Sequence, residues 1–194
     1  FLFASYAQTL STRDSLKCRR LIQSSWYQQH WSQKFSIADD QNLKMRFDTD
    51  KGGYRLATSI GGALTGEGGD IIVVDDPHNA LEGESDAVRE NVLAFWDTAM
   101  STRLNDPKTG SYVLVMQRLH DRDLTGHILA KDSGWDHLCL PARYDSKHPT
   151  PVRSSLGWRD PRTHDGQLLW PERMGEPEVA SLETALGPYG TAGQ

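Results

Sequence analysis

Long apolar runs are missing from this chain. No stretch approaches the roughly 20 residues that a membrane-spanning helix needs, so the sequence offers no candidate membrane helix. Cysteine is scarce as well: Cys18 and Cys139 are the two in 194 residues. They lie far apart and read as a reduced intracellular pair of small core residues, not as a disulfide framework. Positive charge is in short supply, since 21 Lys and Arg against 26 Asp and Glu leave a formal net charge of -5. That argues against a domain that coats nucleic acid by bulk electrostatics, while leaving room for a local basic patch. The opening FLFASY lacks the basic, apolar and cleavage-site order of a secretory leader. Because the chain opens on Phe1 inside a strand-like run, it reads as a fragment. No internal repeat or low-complexity tract occurs. What remains is a globular composition, 37% hydrophobic and 24% charged with six Trp and six Tyr, long enough for one sizeable α/β core and a small appendage.

Strand and helix patterns alternate, as in a mostly parallel sheet covered on both faces. The opening run predicts a strand over 1–6. Ser11 and Asp14 then resemble a capping box ahead of a helix that places Cys18, Leu21, Ile22, Ser25 and Trp26 on one face. Residues 28–51 are polar and poorly periodic, with Phe35, Ile37, Met45 and Phe47 hinting at short edge strands. A strand is expected over 54–60, ending in the glycine cluster 61–69. The β-branched run 71–74 suits a central strand buried on both faces. An amphipathic helix is predicted over 85–104, then a strand over 111–116, a short helix over 121–131 and a last strand over 135–140. Residues 145–165 read as a surface excursion, with 168–171 and 179–186 forming a small closing element.

The strongest chemical signal is IIVVDD at 71–76. In P-loop ATPases an apolar strand ends in an acidic residue that holds Mg2+, and a following carboxylate orients and polarises the attacking water. This gives Asp75 to the metal and Asp76 to the water. The second position is more often Glu in such ATPases, and Asp is shorter by one methylene, roughly 1.5 Å. The plainer reading is that Asp75, Asp76 and Pro77 end a buried strand in a turn. The glycine cluster is no phosphate loop. No Gly-Lys-Ser or Gly-Lys-Thr follows it, and the lysine of such a loop is what reaches the β and γ phosphates. No Walker A sequence occurs anywhere in the chain. His120 lacks companion residues at zinc-ligand spacing.

The segment YRLATSIGGALTGEGGDIIVVDDP at 54–77 resembles the region before and through the Walker B strand of phage terminase large subunits, the motors that package DNA into viral capsids. The resemblance continues at VLVMQRLHDRDLTG (113–126), at ASY (4–6) with RDSLKCRRLI (13–22), and at LWPER (169–173). These matches span most of the chain in the family's order. They imply a three-layer P-loop NTPase core of the ASCE type, truncated at its N-terminal strand and loop. The partial ATPase core would cover 1–142. A loop-rich subdomain over 143–194 would lead toward a nuclease domain, with GPYG at 187–190 resembling the stretch just before its linker. In the intact motor the resemblance implies ATP and Mg2+ as ligands. It implies double-stranded DNA, a portal protein and a small terminase subunit as partners, a homo-oligomeric ring, and the cytoplasm of an infected or lysogenic bacterial host as location.

Residue by residue, the resemblance makes Gln117 the sensor of the γ-phosphate at the end of the coupling strand. Arg118, His120 and Asp121 stand beside it, and Arg118 is a candidate nucleotide contact. Arg13 is a candidate charge-stabilising finger offered to a neighbouring subunit. The plainer alternative is that Arg118 and Asp121 cap a helix and pair at the surface. The glycine cluster is expected to be a flexible turn near DNA or a neighbouring subunit. The Walker A loop would lie upstream of Phe1, and no clustered nuclease carboxylates follow GPYG. The chain by itself is therefore expected to hydrolyse ATP negligibly and not to cut DNA. Two alternatives stay open: another P-loop DNA motor of helicase type, and a catalytically silent prophage remnant acting as a binding module.

Overall fold

The computed structural model describes residues 1–83, 85–131, 134–148, 154 and 157–192, with 188–192 described by backbone alone. Two compact units make up the chain, Phe1–His127 and Ile128–Gln194. The compact units divide after His127; the boundary after 142 is the one the family resemblance implies.

Six strands build the first unit: β1 (Leu2–Ser5), β2 (Ile37–Asn42), β3 (Arg46–Thr49), β4 (Tyr54–Ser59), β5 (Ile71–Asp75) and β6 (Ser111–Val115). They form one sheet in the order β2-β3-β4-β1-β5-β6. The run β4-β1-β5-β6 is parallel, and β3 pairs antiparallel with both β4 and β2. The chain is therefore an α/β protein with a mostly parallel sheet and an antiparallel hairpin at one edge. Side chains alternate across a strand, so the register sorts the sheet into two faces. Leu2, Ile72 and Tyr112 share one face, Phe3, Val73 and Val113 the other.

Each face has its own helix. On the Phe3 side lies α1 (Gln8–Gln23), whose Asp14 and Cys18 are felt by the guanidinium of Arg55, itself stacked 3.8 Å over the Phe3 ring. On the Tyr112 side lies α3 (Asp86–Phe95), continued by a π-helical turn, Trp96–Met100. Trp96 meets the Tyr112 ring edge-on at 5.3 Å, and the Tyr112 hydroxyl donates to the Met100 carbonyl. Leu2, Ala57, Ile72, Val74 and Met100 form the buried centre of the unit. A short helix, α2 (Ser25–Trp31), follows α1, with the Ser24 side chain accepting from the Tyr27 N–H as its cap. α1 itself begins three residues before the expected capping box. Ala7 precedes it without a side-chain cap, Ser11 is buried and bonds back to Gln8, and Asp14 pairs with Arg13.

Two further elements depart from the sequence pattern. The glycine-rich segment 61–69 carries the chain from the carboxyl end of β4 back to the amino end of β5. It is anchored there: Leu64 is buried, Gly69 donates to the Arg103 carbonyl, and Glu67 pairs with Arg46. The strand expected over 135–140 does not form, since the second unit has no strand among its described residues to pair with it. That unit is held by arginines. Arg162 and Asp160 form a buried pair, and the same guanidinium donates to the carbonyls of Pro141, Ala142 and Gln167. Arg143 grips Glu176 and Glu183 on α5 (Glu176–Ala192), a helix kinked at Gly187. A last short helix, α4 (Leu124–Leu129), crosses the boundary between the units.

Candidate functional site

After β1 the chain turns onto the Phe3 face and returns as β4; after β5 it turns onto the Tyr112 face and returns as β6. Neighbouring strands whose connections leave in opposite directions open a crevice at their carboxyl ends, the usual ligand position in such sheets. Here those ends carry Tyr6, Asp75 and Asp76. The β5 strand is interior, flanked by β1 and β6. Its Ile72 and Val74 are fully buried, while Asp75 emerges into solvent.

Backbone bonds fix the turn that presents the carboxylates. The Asp76 N–H donates to the Val115 carbonyl at 2.9 Å and its carbonyl accepts from the Tyr6 N–H at 3.0 Å, so the turn is stitched to both neighbouring strands. Asp76 takes φ 44, the left-handed region, which non-glycine residues enter rarely and which concentrates at functional sites. A crevice of about 160 Å3 opens beside it, lined by Tyr6, Asp76, His78, Asn79, Met116 and Gln117 among others. The fold thus brings Asp76 and Gln117 together, although they are far apart in sequence. A larger groove, about 420 Å3, runs along α1 from Gln8 to Arg20. A single helix lines it and neither carboxylate reaches it, so the smaller crevice is the better chemical candidate.

Electrostatically the turn is short of positive charge. The Asp75 carboxyl is pushed above its usual range, first by loss of solvation, then by Asp76 and Asp14, with Arg13 opposing. Such a pair favours a bound cation. The donors are hard carboxylate oxygens, which suit Mg2+, an ion held by one or two carboxylates, several waters and substrate phosphate oxygens. Among the described residues no group of three or more His, Cys, Asp or Glu side chains gathers at one point. Two carboxylates on one turn are a donor set that fits a metal whose remaining ligands are waters or phosphate oxygens.

The remaining sequence candidates are placed differently. Arg13 lies on α1 close enough to Asp75 to feel its charge within the same chain, with its guanidinium doubly bonded to Asp14 at 2.9 Å. Arg118 does not line the crevice. Its Nε donates to both oxygens of Asp123, a carboxylate with no exposure, and its Nη2 reaches the His120 carbonyl. The surface pairing of Arg118 with Asp121 is thus replaced by a pairing with Asp123. Asp123 also accepts from the N–H groups of Leu119, His120 and Gly126, so it organises the whole loop after β6. A Cβ at Gly126 would collide with the Asp121 carbonyl, which explains the glycine there. His120 accepts from the Arg122 N–H through Nδ1.

Two residues with structural weight at the site, His78 and Asp123, carry no signal in the sequence beyond their positions next to the two motifs. No protein-family model matches the chain, and no curated protein matches it.

Proposed function

We propose that this chain is part of the ATPase motor of a viral DNA-packaging terminase, a P-loop NTPase that moves double-stranded DNA by hydrolysing ATP with Mg2+. The observation that carries the reading is the adjacent pair Asp75 and Asp76 at the carboxyl end of an interior parallel strand, with Asp76 lining the same crevice as Gln117 and Asp75 next to it in the chain. In this reading Asp75 holds the metal through its carboxylate and Asp76 orients the attacking water. Gln117 touches the terminal phosphate, and Arg13 balances charge beside Asp75. Mg2+, when bound, neutralises the developing phosphate charge.

The edge position of β6 is compatible with the same reading, with Val113 41% and Val115 55% exposed on the sheet face that carries Phe3. In this reading a further parallel strand pairs with the backbone of β6 and ends in a phosphate-binding loop near Asp75 and Gln117. Portal and small terminase proteins as partners, a homo-oligomeric ring and a bacterial host's cytoplasm belong to the same proposal.

Manganese, a paramagnetic substitute for magnesium, tests the metal site in the chain itself. Substoichiometric Mn2+ should broaden the amide signals of Asp75, Asp76, His78, Asn79 and Gln117 selectively, and Asp75→Asn should abolish that selectivity. Uniform broadening, or selectivity that survives the substitution, would sink the metal assignment. The reading frame upstream of Phe1 separates motor from remnant: a phosphate-loop sequence ending in Gly-Lys-Ser or Gly-Lys-Thr supports the motor.

A further inference from the structure

His78 follows the carboxylate turn directly and is only 5% exposed. Its Nε2 lies 3.0 Å from the backbone nitrogen of Leu124, which donates to it. A ring nitrogen that accepts a hydrogen bond carries no proton, so in the neutral ring the proton sits on Nδ1. Nδ1 is buried and has no hydrogen-bond partner among the described residues. The charged groups that face the ring from neighbouring elements are committed elsewhere. Asp123 takes Arg118 and three backbone N–H groups, and Arg89 donates to the Gly83 carbonyl and to Asp86. A buried donor without an acceptor is costly, and such groups in folded proteins call for an explanation.

The crevice supplies one, because His78 lines it together with Asp76 and Gln117. Its volume of about 160 Å3 suits a phosphoryl group with one or two waters, each water taking about 30 Å3. Whole-ligand sites run to roughly 300 Å3 and more. The other polar side chains around it, Tyr6, Asn79 and Gln117, are neutral. A locked Nδ1–H therefore adds direction without adding charge.

We propose that His78 is a positioning residue of this crevice, offering its Nδ1–H to an oxygen of a phosphoryl group or of the water beside it, while its Nε2 ties the crevice to the first residue of α4. The inference rests on the reading of the crevice as a phosphate site. It links two regions 46 residues apart: a ligand that draws the ring toward Asp76 pulls on the Leu124 amide, and the loop held by Asp123 follows.

Two substitutions separate the ends of the ring. His78→Gln sets a carbonyl oxygen near the Nε2 position, keeping an acceptor for Leu124 and removing the Nδ1 donor. His78→Asn keeps a donor near Nδ1 and removes the acceptor. The chain labelled with 15N-histidine, observed by long-range proton–nitrogen correlation, should show His78 protonated at Nδ1 and bare at Nε2. Titration with inorganic phosphate plus Mg2+ should move the Nδ1 proton downfield and slow its exchange if the acceptor is a phosphoryl oxygen. A cross-peak to water that persists through the titration marks a water as the acceptor. His78→Gln should weaken phosphate binding about tenfold, the worth of one hydrogen bond to a charged group, with Leu124 amide protection kept. His78→Asn should show the opposite pattern. An Nε2-protonated ring, or phosphate affinity unchanged in His78→Gln, overturns the proposal, as does the absence of any phosphate-dependent change at the crevice. Because Mn2+ broadening at Asp75 is read separately, that failure leaves the metal assignment standing.

Discussion

Asp123 shows how much one side chain can organise. It is fully buried, and it receives Arg118 together with the N–H groups of Leu119, His120 and Gly126. Removing its charge leaves those donors under-satisfied, so Asp123→Asn should cost about 3 kcal/mol. Arg118→Ala should cost less, about 1 kcal/mol, because that side chain is one-third exposed and solvent screens the pair. Urea denaturation of both variants checks the order, and equal losses would contradict it. His78 adds a pH dependence. Burial holds its ring below the ordinary histidine range, with Asp123 opposing and Arg89 adding to the shift. The unfolded chain takes up a proton as pH falls through about 6.5 while the folded chain does not, so this contribution is present above that pH and lost below it. Denaturation midpoints should therefore drop more steeply between pH 7.5 and 5.5 in the native chain than in His78→Gln. Parallel slopes would refute the assignment.

Strand position, more than strand composition, decides what a valine contributes. Val74 is 1% exposed on β5 between two neighbours, and Val115 is 55% exposed on β6 at the edge. Val74→Ala should cost roughly 2 kcal/mol through lost burial and a cavity. Val115→Ala should change stability by less than about 0.5 kcal/mol. Thermal or urea unfolding of the pair measures the contrast, and comparable losses would mean that the flank of β6 is covered in solution. Both residues belong to apolar runs of similar look, VVDD and VLVMQ. Strand order together with the face each residue takes, both invisible in either run, places one inside and one outside.

At the scale of the whole chain, two units are held by different means. The first has an apolar centre of Leu2, Ala57, Ile72, Val74 and Met100. The second relies on guanidinium forks, Arg162 on Asp160 and three carbonyls, Arg143 on Glu176 and Glu183. Lysine cannot reproduce a planar fork. Arg162→Lys should therefore loosen residues 128–194 while sparing 1–127. Limited chymotrypsin digestion should then cut the second unit first and leave a fragment of the first. Loss of both units at the same rate would show that they unfold together.

The order of strands and helices was legible in the chain because the cues are local: β-branched runs, glycine and proline punctuation, and helical spacing all act over a few residues. The same holds for the Asp75 and Asp76 pair, since a buried run that stops at two acids and a proline must present them at a strand end. Boundaries set by non-local partners were not legible. Residues 135–140 have strand-like composition and no strand to join, and the glycine cluster became an anchored return because Leu64 found burial and Glu67 found Arg46. Tertiary structure alone decided that Arg118 turns to Asp123 and that His78 is held by the amide of Leu124. Each of these depends on where a distant donor or acceptor comes to rest once water is excluded, and no local pattern of residues encodes that distance.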